Sequence, residues 1–198
     1  MSEILDLRFL LHLARETVAD PRSGAAEVLR LAPPRPAVWL AFALMIVVSL
    51  FLGEAVGLLV GLPEDGPLTG RSPIALGLIQ GAFLFLIVHA ITHIGRLFGG
   101  TGGFDGALVL MTWLQFIFLL VQLVQLAAML LVPPLAGLIT IAALGLFFWL
   151  LVNFIAVLHG FTSTLQVFVM TMLSFVGLIF ILSVVLSILG VTFDTGGV

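Results

Sequence analysis

Apolar positions in this chain do not alternate with polar ones. They gather into long blocks, and five of these reach the ~20 helical residues needed to cross a hydrocarbon core. The blocks cover 38–60, 74–95, 106–132, 135–158 and 162–190. Backbone in lipid must satisfy its own N–H and C=O groups, so each block is read as an α-helix. The interruptions are chemically distinct. "LPEDGP" and "RSP" bound the first connection, because proline and glycine stop helices. "VPPL" breaks the chain between the third and fourth blocks. His159 and Gly160, followed by Thr162 and Ser163, read as a glycine helix end and a hydroxyl cap.

Ahead of the first block the pattern changes. Ile4, Leu7, Leu11, Ala14 and Val18 recur at helical spacing, and Leu5, Phe9, Leu10 and Leu13 widen the stripe. Asp20-Pro21 is a helix-start signal, a capping acceptor followed by proline at the first helical position. A second short helix is therefore predicted to about Leu31, and "APPRP" leads into the first span. The predicted fold is all-α: a polytopic membrane protein with a five-transmembrane-helix bundle over 38–198, behind an N-terminal amphipathic helical arm over 1–37. Such an arm can lie in the lipid interface, pack as a lid on the bundle, or bind a partner.

Composition agrees with the pattern. Of the 198 residues, 62% are hydrophobic and 9% charged, against roughly 45–50% and 25% in soluble domains. A soluble fold of this size has too little interior to hide that surface. With no cysteine, disulfides, thiol catalysis and cysteine metal sites are excluded. The seven basic residues are all arginine, too few for a nucleic-acid face. Charges through the first twenty residues interrupt any cleavable apolar leader, so none is expected. Arg8, Arg15, Arg22, Arg30 and Arg35 precede the first span, Arg71 and Arg96 lie in the next two connections, and no basic residue follows. The positive-inside rule then puts the N-terminus in the cytoplasm, and five crossings put the C-terminus, with Asp194, outside. The glycine-rich second connection and the His159 turn would face the cytoplasm.

Polar side chains inside spans are the candidate functional groups, because hydrocarbon penalises them. With this topology His89, His93, Gln115, Asn153, His159 and Gln166 form a cytoplasmic tier, and Glu54, Gln80, Gln122 and Gln125 an outer one. Glu54 is the one acid within a span. In lipid it must be paired, hydrated or protonated, and Gln80, Gln122 and Gln125 are the partners its depth suggests. The sharper use of that carboxyl is a proton or cation site; the plainer one is a group snorkelling to the outer headgroups. His89 and His93 share one helix face, and with His159 they suggest a three-imidazole zinc or haem set. No cysteine, metalloprotease motif or carboxylate orienter accompanies them, so interhelical hydrogen bonding is the expected role, with no metal and no cofactor. Trp113 and Trp149 fall inside spans and read as packing groups.

The second connection, "GGTGGFDGAL", holds Gly99, Gly100, Gly102, Gly103 and Phe104. It lacks the G-x-G-x-x-G spacing and follows an apolar helix, and a P-loop would need a lysine this chain lacks. It is therefore read as a helix end whose glycines supply positive φ, not as a phosphate cradle.

Taken in order, these features resemble the Yip family, the membrane domain of Ypt/Rab GTPase-interacting proteins, and specifically its small bacterial branch. The resemblance is carried by "VADPRSGAAEVLR" before the first span, the glycine connection with Phe104 after the second, five spans, and "LHGFTSTLQVFVM" between the last two. Many relatives carry a proline within the third span, and "MTWLQFIFLLVQLVQLAAML" has none. The resemblance implies an integral membrane protein without enzymatic activity. Eukaryotic relatives act in vesicle traffic with small GTPases and membrane partners; bacteria have no such traffic, so that partner is not carried over. The expected function is a non-enzymatic multi-pass protein of the bacterial inner membrane that organises lipid or a membrane-protein partner, with homo-oligomerisation open. The alternative is a transporter or channel subunit using Glu54 and the glutamines as a polar path, against which five spans show no inverted repeat.

Overall fold

A computed structural model describes residues 6–60 and 72–188, which are helical almost throughout. The order is α1 (Leu7–Ala19), α2 (Pro21–Arg30), α3 (Arg35–Val60), α4 (Pro73–Leu97), α5 (Phe104–Leu131), α6 (Pro133–His159) and α7 (Thr164–Ile188). The "LPEDGP" connection, Arg71 and Asp194 fall outside the described residues.

The helix boundaries follow from local chemistry. Asp6 accepts from the Arg8 N–H at 2.9 Å and starts α1, and Asp20 accepts from the Ser23 N–H at 3.2 Å ahead of Pro21. Ser72 caps α4 in the same way, ahead of Pro73. Pro133 opens α6 after a one-residue break at Val132. Two helices end on left-handed glycines, Gly99 at φ 87° and Gly160 at φ 75°. Both close a six-to-one bond: Gly100 N–H to Gly95 O at 2.9 Å, and Phe161 N–H to Ala156 O at 2.8 Å. These are Schellman ends, which satisfy carbonyls that the helix itself leaves open.

Four helices are long and apolar enough to cross a membrane: Arg35–Leu58, Pro73–Leu97, Phe104–Leu131 and Pro133–His159. They match the first four predicted blocks to within three residues. The 25-residue α7 adds a shorter apolar stretch, Thr164–Gly177.

Burial is strongly uneven along these helices. The core comprises Val38 and Phe42 of α3, Ile87 and Val88 of α4, Ala107 to Ile117 of α5 and Leu150 to Phe154 of α6. All of these lie near the end where α4 joins α5 and α6 joins α7. In the far halves large apolar side chains face outward, among them Leu123, Leu130, Leu138, Ile141 and Leu144. The hydrophobic effect does not drive lipid-facing surface inward, so the exposed half is where lipid does the covering. Helix α5 is 28 residues long, ~42 Å at ~1.5 Å per residue, against ~30 Å of hydrocarbon. The surplus suits the end that protein covers.

That end is covered by the arm. Helices α1 and α2 form a hairpin on α5 and α6, with Leu13, Ala14, Ala25 and Val28 in the common core. Thr17 lies at the centre, completely buried. Its Oγ1 donates to Leu13 O at 2.7 Å and accepts from Trp113 Nε1 at 3.2 Å. Gly24 of α2 passes so close that a Cβ there would stand 2.6 Å from the Thr17 Cα. The amphipathic stripe of α1 is thus only partly spent on the bundle, since Leu7, Leu11 and Val18 remain exposed.

Candidate functional site

The densest polar arrangement lies at the covered end, around the last residue of α6. His159 is 3% exposed, and both ring nitrogens are engaged. Nδ1 accepts from the Gly102 N–H at 3.1 Å, and Nε2 lies 3.1 Å from the Ile91 carbonyl of α4. A carbonyl can only accept, so Nε2 carries the proton and the imidazole is neutral. The Thr101 N–H reaches the His159 carbonyl at 3.3 Å, and Arg96 Nε donates to Gly102 O at 3.0 Å. One histidine therefore ties together the end of α4, the glycine connection and the end of α6.

This geometry explains the glycines better than backbone conformation does. Of Gly99, Gly100, Gly102 and Gly103, Gly99 alone has positive φ. A Cβ on Gly95, Gly100 or Gly102 would instead run into the His159 ring, and one on Gly106 would stand 2.8 Å from Leu158. The connection is glycine-rich because backbone packs directly on an imidazole. Gly103 is the N-cap of α5 and Phe104 its first residue.

Beside this knot, Arg22 of α2 spans the α6–α7 turn. Its Nε donates to Asn153 Oδ1 at 3.2 Å, and Nη2 donates to Thr162 O at 3.1 Å and Thr164 Oγ1 at 2.7 Å. Asn153 is 4% exposed and returns its own amide to Trp149 O at 2.8 Å. Replacing Arg22 by alanine leaves that buried Asn153 oxygen and a turn carbonyl without their cation. Bonds to charged groups contribute about 1.5–3 kcal/mol each, and partial exposure of Arg22 lowers the sum. The expected loss is ~1–3 kcal/mol, read as faster amide exchange over Gly160–Thr164 in nanodiscs. Arg22→Lys should recover little, since a single ammonium cannot match the guanidinium fork. Unchanged exchange would mean that the clamp contributes nothing.

The remaining candidates are dispersed. His89 and His93 stack at 5.8 Å and 7°, each bonding the carbonyl four residues back, Phe85 and His89 respectively. His89 packs on Phe104 at 4.9 Å. His159 meets α4 through Ile91 and Gly95, which lie about half a turn around the helix from His89 and His93. The structure therefore does not gather the three imidazoles. Among the described residues no group of three or more His, Cys, Asp or Glu is placed to hold a metal.

The outer tier is divided as well. Glu54 lines a groove of ≈ 930 Å³ between α3 and α4, with Phe51 and Ile74. Gln122 and Gln125 line a different one of ≈ 340 Å³, with Gly53 of α3 and Thr140 of α6. Gln80 bonds Ser49 Oγ at 3.0 Å, and Gln125 bonds Thr140 Oγ1 at 2.6 Å. Depth alone would set Gln122 and Gln125 beside Glu54, but their helix face turns them to the other groove. Gln115 Nε2 and Gln122 Oε1 are buried on α5 without a hydrogen-bond partner among the described residues.

The hairpin, the α6–α7 turn and the glycine connection are thus three local features held at one end of an apolar helical bundle. A family model described as the Yip1 domain matches residues 15–187. The chain belongs to the Yip1 domain family. No curated protein and no solved structure matches it. The matched range starts within α1 and ends within α7, so it takes in Arg22, the glycine connection and His159 alike. In this Yip1 domain the residues that sequence reasoning missed are Thr17, Arg22 and Trp113 as joining groups. A buried threonine seven residues before a glycine, across Asp-Pro, was the available signal for a tight helical hairpin. Trp113 packs as expected, whereas Trp149 is 51% exposed and faces the lipid side.

Proposed function

We propose that this Yip1 domain is a non-enzymatic, five-span protein of the bacterial inner membrane that organises lipid or a membrane-protein partner through its N-terminal hairpin. The observation that carries this reading is the division of the molecule. A protein-covered end is fastened by α1 and α2, and the other half offers apolar helix faces outward. Such a body holds an amphipathic helix rigidly beside the membrane. The arginine distribution supports a cytoplasmic N-terminus, and α7 serves as the fifth crossing. A reporter fused after Val198 should then be active on the periplasmic side alone.

The alternative, a transporter or channel subunit, needs the outer polar groups to form one path. Glu54 and the Gln122–Gln125 pair open into separate grooves, which weighs for the scaffold. Accordingly Glu54→Gln should leave proton and cation leak rates of proteoliposomes within twofold of the unmodified protein. A proton-coupled flux that the substitution abolished would replace the scaffold reading with the transport one.

A further inference from the structure

Beneath α1 runs a groove of ≈ 550 Å³, walled by α5 and α6. Leu11 and Val18 overhang it, Ile117 and Val121 form one wall, and Ile139 and Ala143 form the other. Arg15 is the one charged residue on its lining. At ~1.5 Å per residue, Ile117 lies ~20 Å along α5 from Phe104, and Val124, also on the lining, ~30 Å. The groove thus starts at α1 and descends away from the protein-covered end, into the half that lipid covers.

The charges of the hairpin and of the first residue of α3 are mostly committed. Arg30 pairs with Glu27, Arg35 with Asp105 at 2.9 Å, and Glu16 with His12 at 3.5 Å. Asp6 and Asp20 cap helices, and Arg22 clamps the α6–α7 turn. Arg8 and Arg15 remain without an ion pair among the described residues. They stand seven positions apart, on one face of α1. Glu16 is the neighbouring acid, and it is directed to His12.

An apolar trough with the guanidinium of Arg15 on its lining, unpaired among the described residues, has the polarity of one kind of molecule. We infer that the groove between α1, α5 and α6 seats an anionic glycerophospholipid, an acyl chain lying against Val124 and Ile139 and the headgroup phosphate at Arg15. Guanidinium matches phosphate by paired N–H donors, and each basic residue at an anionic surface contributes ~1 kcal/mol. The seat gives the lipid-organising reading above a defined chemistry, and it rests on that reading.

The test uses the full chain in vesicles, with spin-labelled phosphatidylglycerol or phosphatidylcholine as probe and the immobilised fraction as readout. The unmodified protein should retain phosphatidylglycerol preferentially. Arg15→Gln, an exposed substitution, should lower that preference roughly fivefold. Ala143→Trp, which fills the trough, should reduce immobilised lipid of both headgroups. An unchanged preference in Arg15→Gln overturns the seat. So does Ala143→Trp if it alters the oligomeric mass but not the lipid, since the trough would then hold a second copy. These outcomes are separable from the transport test: a flux lost in Glu54→Gln sinks the scaffold reading without altering the headgroup ratio.

Discussion

Substituting Gly95 by alanine is expected to destabilise the bundle by about 1–3 kcal/mol, the range for overpacking a filled site. In an ordinary helix the same change would help slightly, because glycine costs roughly 1 kcal/mol relative to alanine. The sign reverses because the new methyl group meets the His159 ring. That ring has nowhere to go: Nδ1 is fixed by Gly102 and Nε2 by Ile91, while a Cβ on Gly100 would press on it from the connection. Gly137 and Gly145 of α6 serve as controls. Nothing lies within 4 Å of a Cβ on either, so alanine there should be neutral or stabilising. Thermal unfolding in detergent, followed by near-ultraviolet circular dichroism, reads all three. Pairing Gly95→Ala with His159→Ala provides a stricter check. The double variant should be less impaired than the sum of the singles, with a coupling of about 0.5–3 kcal/mol. Additive losses would mean that the two residues do not share the site.

Much of this architecture can be read from the chain, and the reasons differ by feature. Lipid imposes long uninterrupted apolar helices, so the first four spans declare themselves to within three residues. The caps are local too: Asp20-Pro21 and His159-Gly160 each act on backbone only a few residues away. The site at the covered end is another matter. His159 touches Gly102 across 57 residues of sequence and Ile91 across 68. Nothing near position 159 indicates that an imidazole, rather than a turn, is what the glycines accommodate. The surroundings of Glu54 are hidden in the chain for a related reason. Depth follows from counting residues, whereas helix facing depends on how α3 sits between α4 and α5. Gly53 and Gly57 stand at the small-xxx-small spacing of close helix packing, yet Gly53 has nothing within 4 Å of an added Cβ. Small-residue spacing marks where backbones can approach, not where they do.

The second large effect concerns the hairpin. Trp113→Ala should cost about 3–5 kcal/mol, the range for a buried aromatic truncated to methyl, and should release α1 and α2 from the bundle. Trp113 is 8% exposed and stacks on Phe116 at 5.2 Å, and its Nε1 is the donor that meets Thr17 Oγ1. Removing it opens a cavity beneath α1 at the point where the hairpin is held. Gly24→Val should give the same phenotype from the other side, since its side chain meets the Thr17 backbone, which cannot rotate away. Trypsin supplies the readout, because the basic residues of the hairpin are arginines. Arg22 is partly buried by the α6–α7 turn in the native protein, so cleavage there reports detachment, whereas cleavage at exposed Arg8 does not. Both variants should therefore be cut at Arg22 many-fold faster than the native chain, at an unchanged rate at Arg8. Thr17→Val separates the two components of the attachment. It keeps the volume and loses the hydrogen bond, leaving the Trp113 N–H unpaired, for a loss of about 1–3 kcal/mol. If Trp113→Ala left Arg22 as protected as before, α1 and α2 would be held without this contact, by the packing of Leu13, Ala25 and Val28 and by the Arg22 clamp.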